Sequence, residues 1–402
     1  MKYILTILLF YLTYINSFSV LLPGFNKAII SNIDIKKISN NDKKELKIIF
    51  SKVPLLVFKN QNINPEEFYE FCKIFDDKYN NDILHLFPKI FNKTPQVNLR
   101  TNMKDNIDLY NINYYNDPFS NDIIHSLTKT WHQDIVGRLN ILPPIVSAIY
   151  SPITPINNKP FTQFANLQDA YDKMDIKLKK KLNNYNVLYT NSLPNNNGKS
   201  HNDNDGISVF NKNINYDMKN IQTEPLIIYS DNTKTRKNLL LNPARFLKFD
   251  KLNIDDSIEL YRYILKNYIL TKDNIINHVW QKNDLIIWNN RKLLHTASPS
   301  IVYKNENRLA LVLFLGTDEP IIPANDIKSN KIIINNQLEK EFEIIKKKKE
   351  LQKYIQQYLD NNIEEHYYTS REYDEYDEYD EYTEYDEYTE YDESDESDES
   401  NQ

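Results

Sequence analysis

Lys129-Thr130-Trp131-His132-Gln133-Asp134 is the stretch on which the reading of this chain turns. A histidine and an aspartate two residues apart in an extended segment project to the same side of the strand. There they can grip one divalent metal ion together. Far downstream, Trp288-Asn289-Asn290-Arg291-Lys292-Leu293-Leu294-His295 ends on an isolated histidine in a strand-like setting. Two imidazoles and one carboxylate on one face of an octahedral ion form the facial triad of non-haem Fe(II) oxygenases, which leaves positions open for other ligands. Alone, a His two residues from an Asp arises by chance in many chains. Such a pair more often marks an ordinary surface or core histidine than a metal ligand.

The surrounding sequence shifts that balance. Trp131-His132-Gln133-Asp134 is followed by Pro143-Pro144 and a β-rich run, then by Phe161-Thr162-Gln163-Phe164-Ala165-Asn166 and Asp169-Ala170-Tyr171. With the distal W-x-N-R-x-x-x-H of Trp288 to His295, this order resembles the TauD/TfdA family of 2-oxoglutarate-dependent dioxygenases. Upstream, Ser31-Asn32-Ile33-Asp34-Ile35, the run from Leu55 to Gln61, and Pro65-Glu66-Glu67-Phe68 are similar to the family's amino-terminal part. The resemblance covers residues 20 to 322 in consistent order, which makes it more specific than either motif.

The resemblance implies Fe(II) held by His132, Asp134 and His295, with 2-oxoglutarate as the cosubstrate that chelates the metal through its keto-acid end. The far carboxylate of 2-oxoglutarate then needs a cation and a hydroxyl. Arg308, thirteen residues past His295, stands at the family's position for the cation, and Thr162 at that for the hydroxyl. A planar guanidinium fork suits a carboxylate. Three departures stand out. The family's Gly-Gly before the threonine is replaced by Asn157-Asn158-Lys159-Pro160. Taurine-oxidising members place a second arginine four residues past the first, where this chain has Val312. Asn289 replaces the usual aspartate beside Trp288, and Trp288 and Arg291 read as supports of the His295 strand. Related halogenating enzymes lack the aspartate ligand, so Asp134 implies hydroxylation. The expected reaction takes a small organic substrate and O2, and releases succinate and CO2.

Two other classes compete. A catalytically inactive relative would serve as a secreted or surface binding protein, but loss of one ligand is the simplest route to inactivity and the triad is intact. A zinc hydrolase can use the same three ligands plus water. Arg308 and Thr162, which serve a dicarboxylate cosubstrate, argue against it. Among the motifs present there is no Ser-His-Asp elbow, phosphate-binding loop or dinucleotide-binding glycine pattern.

The 402 residues suffice for one large domain or two small ones, and 41% hydrophobic residues allow a sizeable core. Repeated short strand patterns with a few helices point to a mainly β fold with helices. The resemblance sharpens this to a double-stranded β-helix, or jelly roll, over residues 20–330. A single cysteine, Cys72, excludes an intramolecular disulfide and reads as a small buried side chain. Net charge is −7, but residues 371–402 hold seventeen Asp and Glu against one Arg, a local −16 that leaves the rest of the chain at +9. The lysines of that basic body are scattered, so no specific nucleic-acid partner is expected. The Tyr-Asp-Glu repeat of residues 367–402 is too charged to fold and reads as a disordered tail, preceded by a charged helix over residues 331–366.

At the other end, Met1-Lys2-Tyr3 opens onto the apolar run Ile4 to Leu12, and Ser17-Phe18-Ser19 offers a small-x-small site. Residues 1–19 read as a secretory signal peptide, with an uncleaved membrane anchor over residues 4–22 as the alternative. The expected location is the secretory route or a membrane, and a cytoplasmic protein is the competing outcome. Amino-terminal sequencing of the mature protein is expected to begin near Val20. An intact Met1 in a soluble cytosolic fraction would overturn the secretory reading.

Overall fold

The structure is a computed structural model. It describes residues 18–24, 26–85, 89–103, 131–138, 141–157, 159–190, 221–298 and 306–324. The expected signal peptide up to residue 17, most of the loop expected over residues 101–128, most of the Asn-rich insertion expected over 191–222, the expected carboxy-terminal helix and the acidic tail lie outside the described residues. All those described belong to the first of two units, Met1–Lys353 and Tyr354–Gln402. No helix among them is long and apolar enough to cross a membrane.

An eight-stranded sheet forms the scaffold. Its strands are β1 (Ser19–Gly24), β2 (Lys27–Ser31), β3 (Leu55–Phe58), β14 (Asp284–Asn289), β6 (Val146–Ile153), β16 (Leu309–Thr317) and β4 (Tyr79–Ile83), in that spatial order, with β5 (Val97–Thr101) also paired to β16. Every pairing is antiparallel except β2 with β3. A second sheet carries β13 (Ile275–Val279), β7 (Phe161–Asn166) and β15 (Leu293–Ala297), in that order. The sheets are open, and they match the mainly β, jelly-roll fold expected from the sequence. The expected junction between residues 19 and 20 falls at the first residue of β1.

Alternation along the strands decides which residues face the second sheet. Leu56, Phe58, Leu285, Ile287, Leu311, Leu313, Val97 and Leu99 go to one side and join an outer core. Leu55, Val57, Ile286 and Trp288 go to the other, where they pack with Phe164, Trp280 and Leu293 of the second-sheet region. Two helices cover the outer side. The first, α1 (Asn40–Lys52), starts at Ser39 in a reciprocal capping box with Asp42, and buries Leu46 and Phe50. The next, α2 (Pro65–Cys72), starts at Asn64 with Pro65 in its first turn and buries Phe68, Phe71 and Cys72. Apolar spacing places the first over Asp42–Ser51, and Asn64 with Pro65 places the second over Pro65–Phe75; α1 starts two residues earlier and α2 ends three residues sooner.

A third layer was only partly expected. It packs α3 (Leu167–Lys173), α4 (Ile176–Leu182) and α5 (Ile254–Ile264) with β8 (Asn186–Thr190) and β12 (Phe246–Phe249) around Leu182, Val187, Phe249 and Ile264. The helix expected over Asp255–Tyr268 is α5, capped by Asn253, but it passes into a single π-turn over Leu265–Ile269. Two further strands, β9 (Ile221–Pro225), paired to β8, and β10 (Ile227–Tyr229), paired to β11 (Lys237–Leu239), complete this layer.

Leu56 lies fully buried on the outer face of β3 between two other strands. Leu56→Ala is expected to lower stability to urea by about 2–5 kcal/mol, the range for a leucine deletion that leaves a cavity. A loss below ~1 kcal/mol would show that the outer core collapses around the gap.

Candidate active site

The two histidines meet across an edge of the second sheet. His295 sits within β15, opposite Phe164 of β7. On the free edge of β15, His132 forms an isolated antiparallel bridge with His295. The His132 N–H donates to the His295 carbonyl at 3.0 Å, and the His295 N–H returns the bond at 2.9 Å. The sequence reading put His132 and Asp134 on one extended strand. The structure keeps only this bridge extended, and then turns: Ile135 has φ +68° and Gly137 φ +73°. A β-branched residue rarely adopts positive φ, so the turn must be held by its surroundings.

Asn290 and Asn242 hold it. The Asn290 side chain accepts from the Asp134 N–H at 2.8 Å and donates to the Asp134 carbonyl at 2.9 Å, while its own carbonyl accepts from Gln133 Nε2 at 2.7 Å. Asn242 Nδ2 donates to the carbonyls of Gln133 at 3.1 Å and Val136 at 2.7 Å. Gly137 could not be replaced freely, because a Cβ there would stand 2.5 Å from the Tyr189 side chain.

With the turn fixed, the three candidate ligands converge. Ser147 Oγ donates to Asp134 Oδ2 at 2.8 Å and orients the carboxylate. The other oxygen, Oδ1, lies 3.7 Å from the Nε2 of both His132 and His295. Ligand atoms of all three residues fall within 4.8 Å of one another. The separations are too long for hydrogen bonds and leave room for one shared ion. Burial pushes the Asp134 pKa up, opposed by His132, the Ser147 hydroxyl and Arg100. Burial also holds His295 well below the ordinary histidine value, reinforced by His132. His295 is therefore a neutral imidazole, the form that binds a metal. This donor set fits Fe(II).

Thr162 and Arg308 lie on different sheets. Thr162 is buried on β7, two residues from Phe164 and opposite Ala297, so it shares a face with His295. Its Oγ1 accepts from Trp280 Nε1 at 3.0 Å, which leaves the hydroxyl hydrogen available to another acceptor. Arg308 immediately precedes β16, with its carbonyl accepting from Thr101 Oγ1 at 2.8 Å and its N–H donating to Asn102 Oδ1 at 2.7 Å. Trp288 is buried beside the His295 ring, with centroids 4.9 Å apart. Arg291 is buried as well, donating to the carbonyls of Pro143, Glu319 and Pro320. Both are supports, as expected. Asn289 Oδ1 accepts from the Arg291 N–H at 3.1 Å, a bond that aspartate could make equally well.

Ser147, Asn242 and Arg100 escaped the sequence reading. Nothing local marks a serine in a buried strand as a partner for a carboxylate thirteen residues upstream. Asn290 had a signal, its place inside the distal motif, but not its role.

Residues 17–313 match the family described as Taurine catabolism dioxygenase TauD, TfdA family. A taurine dioxygenase from Burkholderia xenovorans superposes with a TM-score of 0.57 at 16% identity, covering 79% of this chain and 96% of that one. AAD-2 in complex with Mn(II) and N-oxalylglycine gives 0.53 at 16% identity, covering 76% and 99%. At such identity these likenesses speak for the fold. No curated protein sequence matches the chain. The chain belongs to the TauD/TfdA family. It is therefore a 2-oxoglutarate-dependent dioxygenase that uses Fe(II).

Asn290→Ala removes the two side-chain bonds that fix the turn at Asp134, and a third to the Pro144 carbonyl. Metal affinity is expected to fall by roughly 10–100-fold, the usual effect of losing a group that orients a ligand. Titration with Co(II), followed by visible absorption, measures it.

Proposed function

We propose that His132, Asp134 and His295 hold the Fe(II), that Arg308 and Thr162 hold the far carboxylate of 2-oxoglutarate, and that the enzyme hydroxylates a small organic substrate. The convergence of two histidine Nε2 atoms on one oxygen of a buried aspartate carries this reading. Bound Fe(II) supplies the centre at which O2 is activated. One oxygen atom goes to the substrate as hydroxyl, and the other to succinate, as 2-oxoglutarate loses CO2.

The residues of the chain divide the remaining work. Asp134 supplies the anionic ligand, its carboxylate oriented by Ser147 and its backbone held by Asn290. His295, buried and neutral, supplies a lone pair without first losing a proton. His132, whose side chain is 36% exposed, stands on the open side of the triad. Trp288, Phe164 and Leu293 form an apolar floor that keeps water from the inner side of the His295 ring. Thr162 donates its hydroxyl and Arg308 its guanidinium to the cosubstrate carboxylate, a charge-assisted pairing that fixes register as well as affinity.

His295→Ala is expected to abolish both tight Fe(II) binding and succinate release, and full retention of iron would sink the assignment. Arg308→Ala is expected to retain iron and raise the 2-oxoglutarate requirement. Leaving a desolvated carboxylate without its charged partner costs on the order of 3–5 kcal/mol, a shift of more than a hundredfold in half-saturation. An unchanged requirement would assign the carboxylate to another basic residue.

A further inference from the structure

A cleft of about 390 Å3 opens beside the β14–β15 turn. Its walls are the end of α1, the segment before β4, the hairpin of β10 and β11, the turn itself and the chain just past β16. The turn has two sides: Asn290 reaches Asp134, whereas Asn289, Arg291 and Lys292 line the cleft. Neither the metal triad nor Thr162 or Arg308 borders it. Its volume lies in the ordinary range for a small-molecule site.

The charges of the cleft cancel. Four acidic and four basic side chains line it, and they stand in pairs. Lys47 is joined to Asp77, and Lys78 to Glu319 Oε2 at 3.0 Å. Burial raises the Asp76 pKa, opposed by Thr317, the Lys78 N–H and the Arg291 charge. Burial lowers the Lys292 pKa, opposed by Asp231. Hydrogen-bonding capacity, in contrast, is left over. Asp76 Oδ2, Glu319 Oε1, Asn238 Oδ1 and Ser230 Oγ are buried with no partner among the described residues. Asn238 is fully buried and Asp76 is 4% exposed. The Asn238 Nδ2 donates to the Arg291 carbonyl at 2.5 Å, which fixes the amide and leaves its oxygen unmet. Four such oxygens around one cavity are costly, and they call for a molecule that brings donors.

We propose that this cleft is a second ligand site, separate from the metal centre, and that it takes a neutral polyol of monosaccharide size. A cation would be opposed by Arg291 and Lys292, and an anion by Asp76 and Glu319. A neutral molecule with several hydroxyls meets neither penalty. Hydroxyl hydrogens rotate to suit differently placed acceptors. They serve the oxygens of Asp76, Glu319 and Asn238 together, while Ser230 gives or takes one further bond. Phe50, Phe75 and Ile228 supply apolar wall for the C–H faces of the ligand.

The test uses the full chain loaded with Zn(II) and 2-oxoglutarate, so that the metal site is filled, and follows D-glucose, D-galactose and D-sorbitol by ligand-observed NMR. Putrescine and phosphate serve as cationic and anionic competitors. At least one polyol is expected to bind saturably, and neither ion is expected to displace it. Glu319→Ala removes a hydrogen bond to a charged group and is expected to weaken binding by roughly tenfold to a hundredfold, and Ser230→Ala by roughly twofold to tenfold. Glu319→Gln keeps a carbonyl oxygen and should recover part of the loss. Ser230 is partly exposed at the end of β10, so its variant reads the site even where another variant folds poorly. No saturable binding of any of the three polyols would overturn the inference, as would displacement of the polyol by putrescine or phosphate. So would polyol binding that neither Glu319→Ala nor Ser230→Ala changes, which would place the molecule outside this cleft.

Discussion

The two backbone hydrogen bonds between His132 and His295 are the constraint on which the site depends. They tie a loop residue to a strand from the far end of the chain, and they fix the two imidazoles with ring centroids 4.1 Å apart. Everything else at the triad follows from that bridge. The chain must turn immediately after it to bring Asp134 back, so Ile135 takes a conformation its side chain disfavours. Asn290, five residues before His295, answers that strain by closing two bonds on the Asp134 backbone. The distal motif thus supplies one candidate ligand, His295, and the clamp for another, Asp134.

The space between the sheets is apolar at one end and charged at the other. Near the triad, Phe164, Trp288 and Leu293 pack together. At the start of β14, fully buried Asp284 pairs with Lys59, their charged atoms 2.6 Å apart, and lies 3.2 Å from His278 Nε2. Burial lowers the His278 pKa despite that carboxylate, because desolvation outweighs the attraction. A buried pair of this kind adds little net stability, but removing one partner strands the other. The cluster therefore works as a register lock: β14 cannot slide along β3 or β6 without parting Asp284 from Lys59.

The elements legible in the sequence are those whose signals are local. Leu46, Ile49 and Phe50 announce α1, Asn64 with Pro65 announces α2, and the apolar runs of β3, β14 and β16 can hardly be anything else. The candidate ligands His132, Asp134 and His295, which the structure brings together, stand out because two short motifs carry them. The polar strands do not. Tyr79-Asn80-Asn81-Asp82-Ile83 has almost no strand propensity and is drawn into the sheet by pairing with the end of β16. Val97-Asn98-Leu99-Arg100-Thr101 alternates as a strand should, yet Asn98 and Arg100 turn towards the second sheet while Val97 and Leu99 go to the outer core. Only the register reveals that inversion. Ser147 and Asn242 act across long sequence separations, which one chain read alone does not disclose.

Insertion of β14 between β3 and β6 also governs how the molecule can assemble. The scaffold sheet joins strands from opposite ends of the described chain, and its central member is nearly the last made. Until Asp284–Asn289 leaves the ribosome, β3 and β6 have no partner between them, and β15 cannot present His295. Folding of such non-local pairings is slow, since loop closure must precede the contacts that reward it. The growing chain therefore leaves the facing edges of β3 and β6 unpaired until β14 has been made. Unpaired apolar strand edges of this kind are where a partly made chain is open to aggregation.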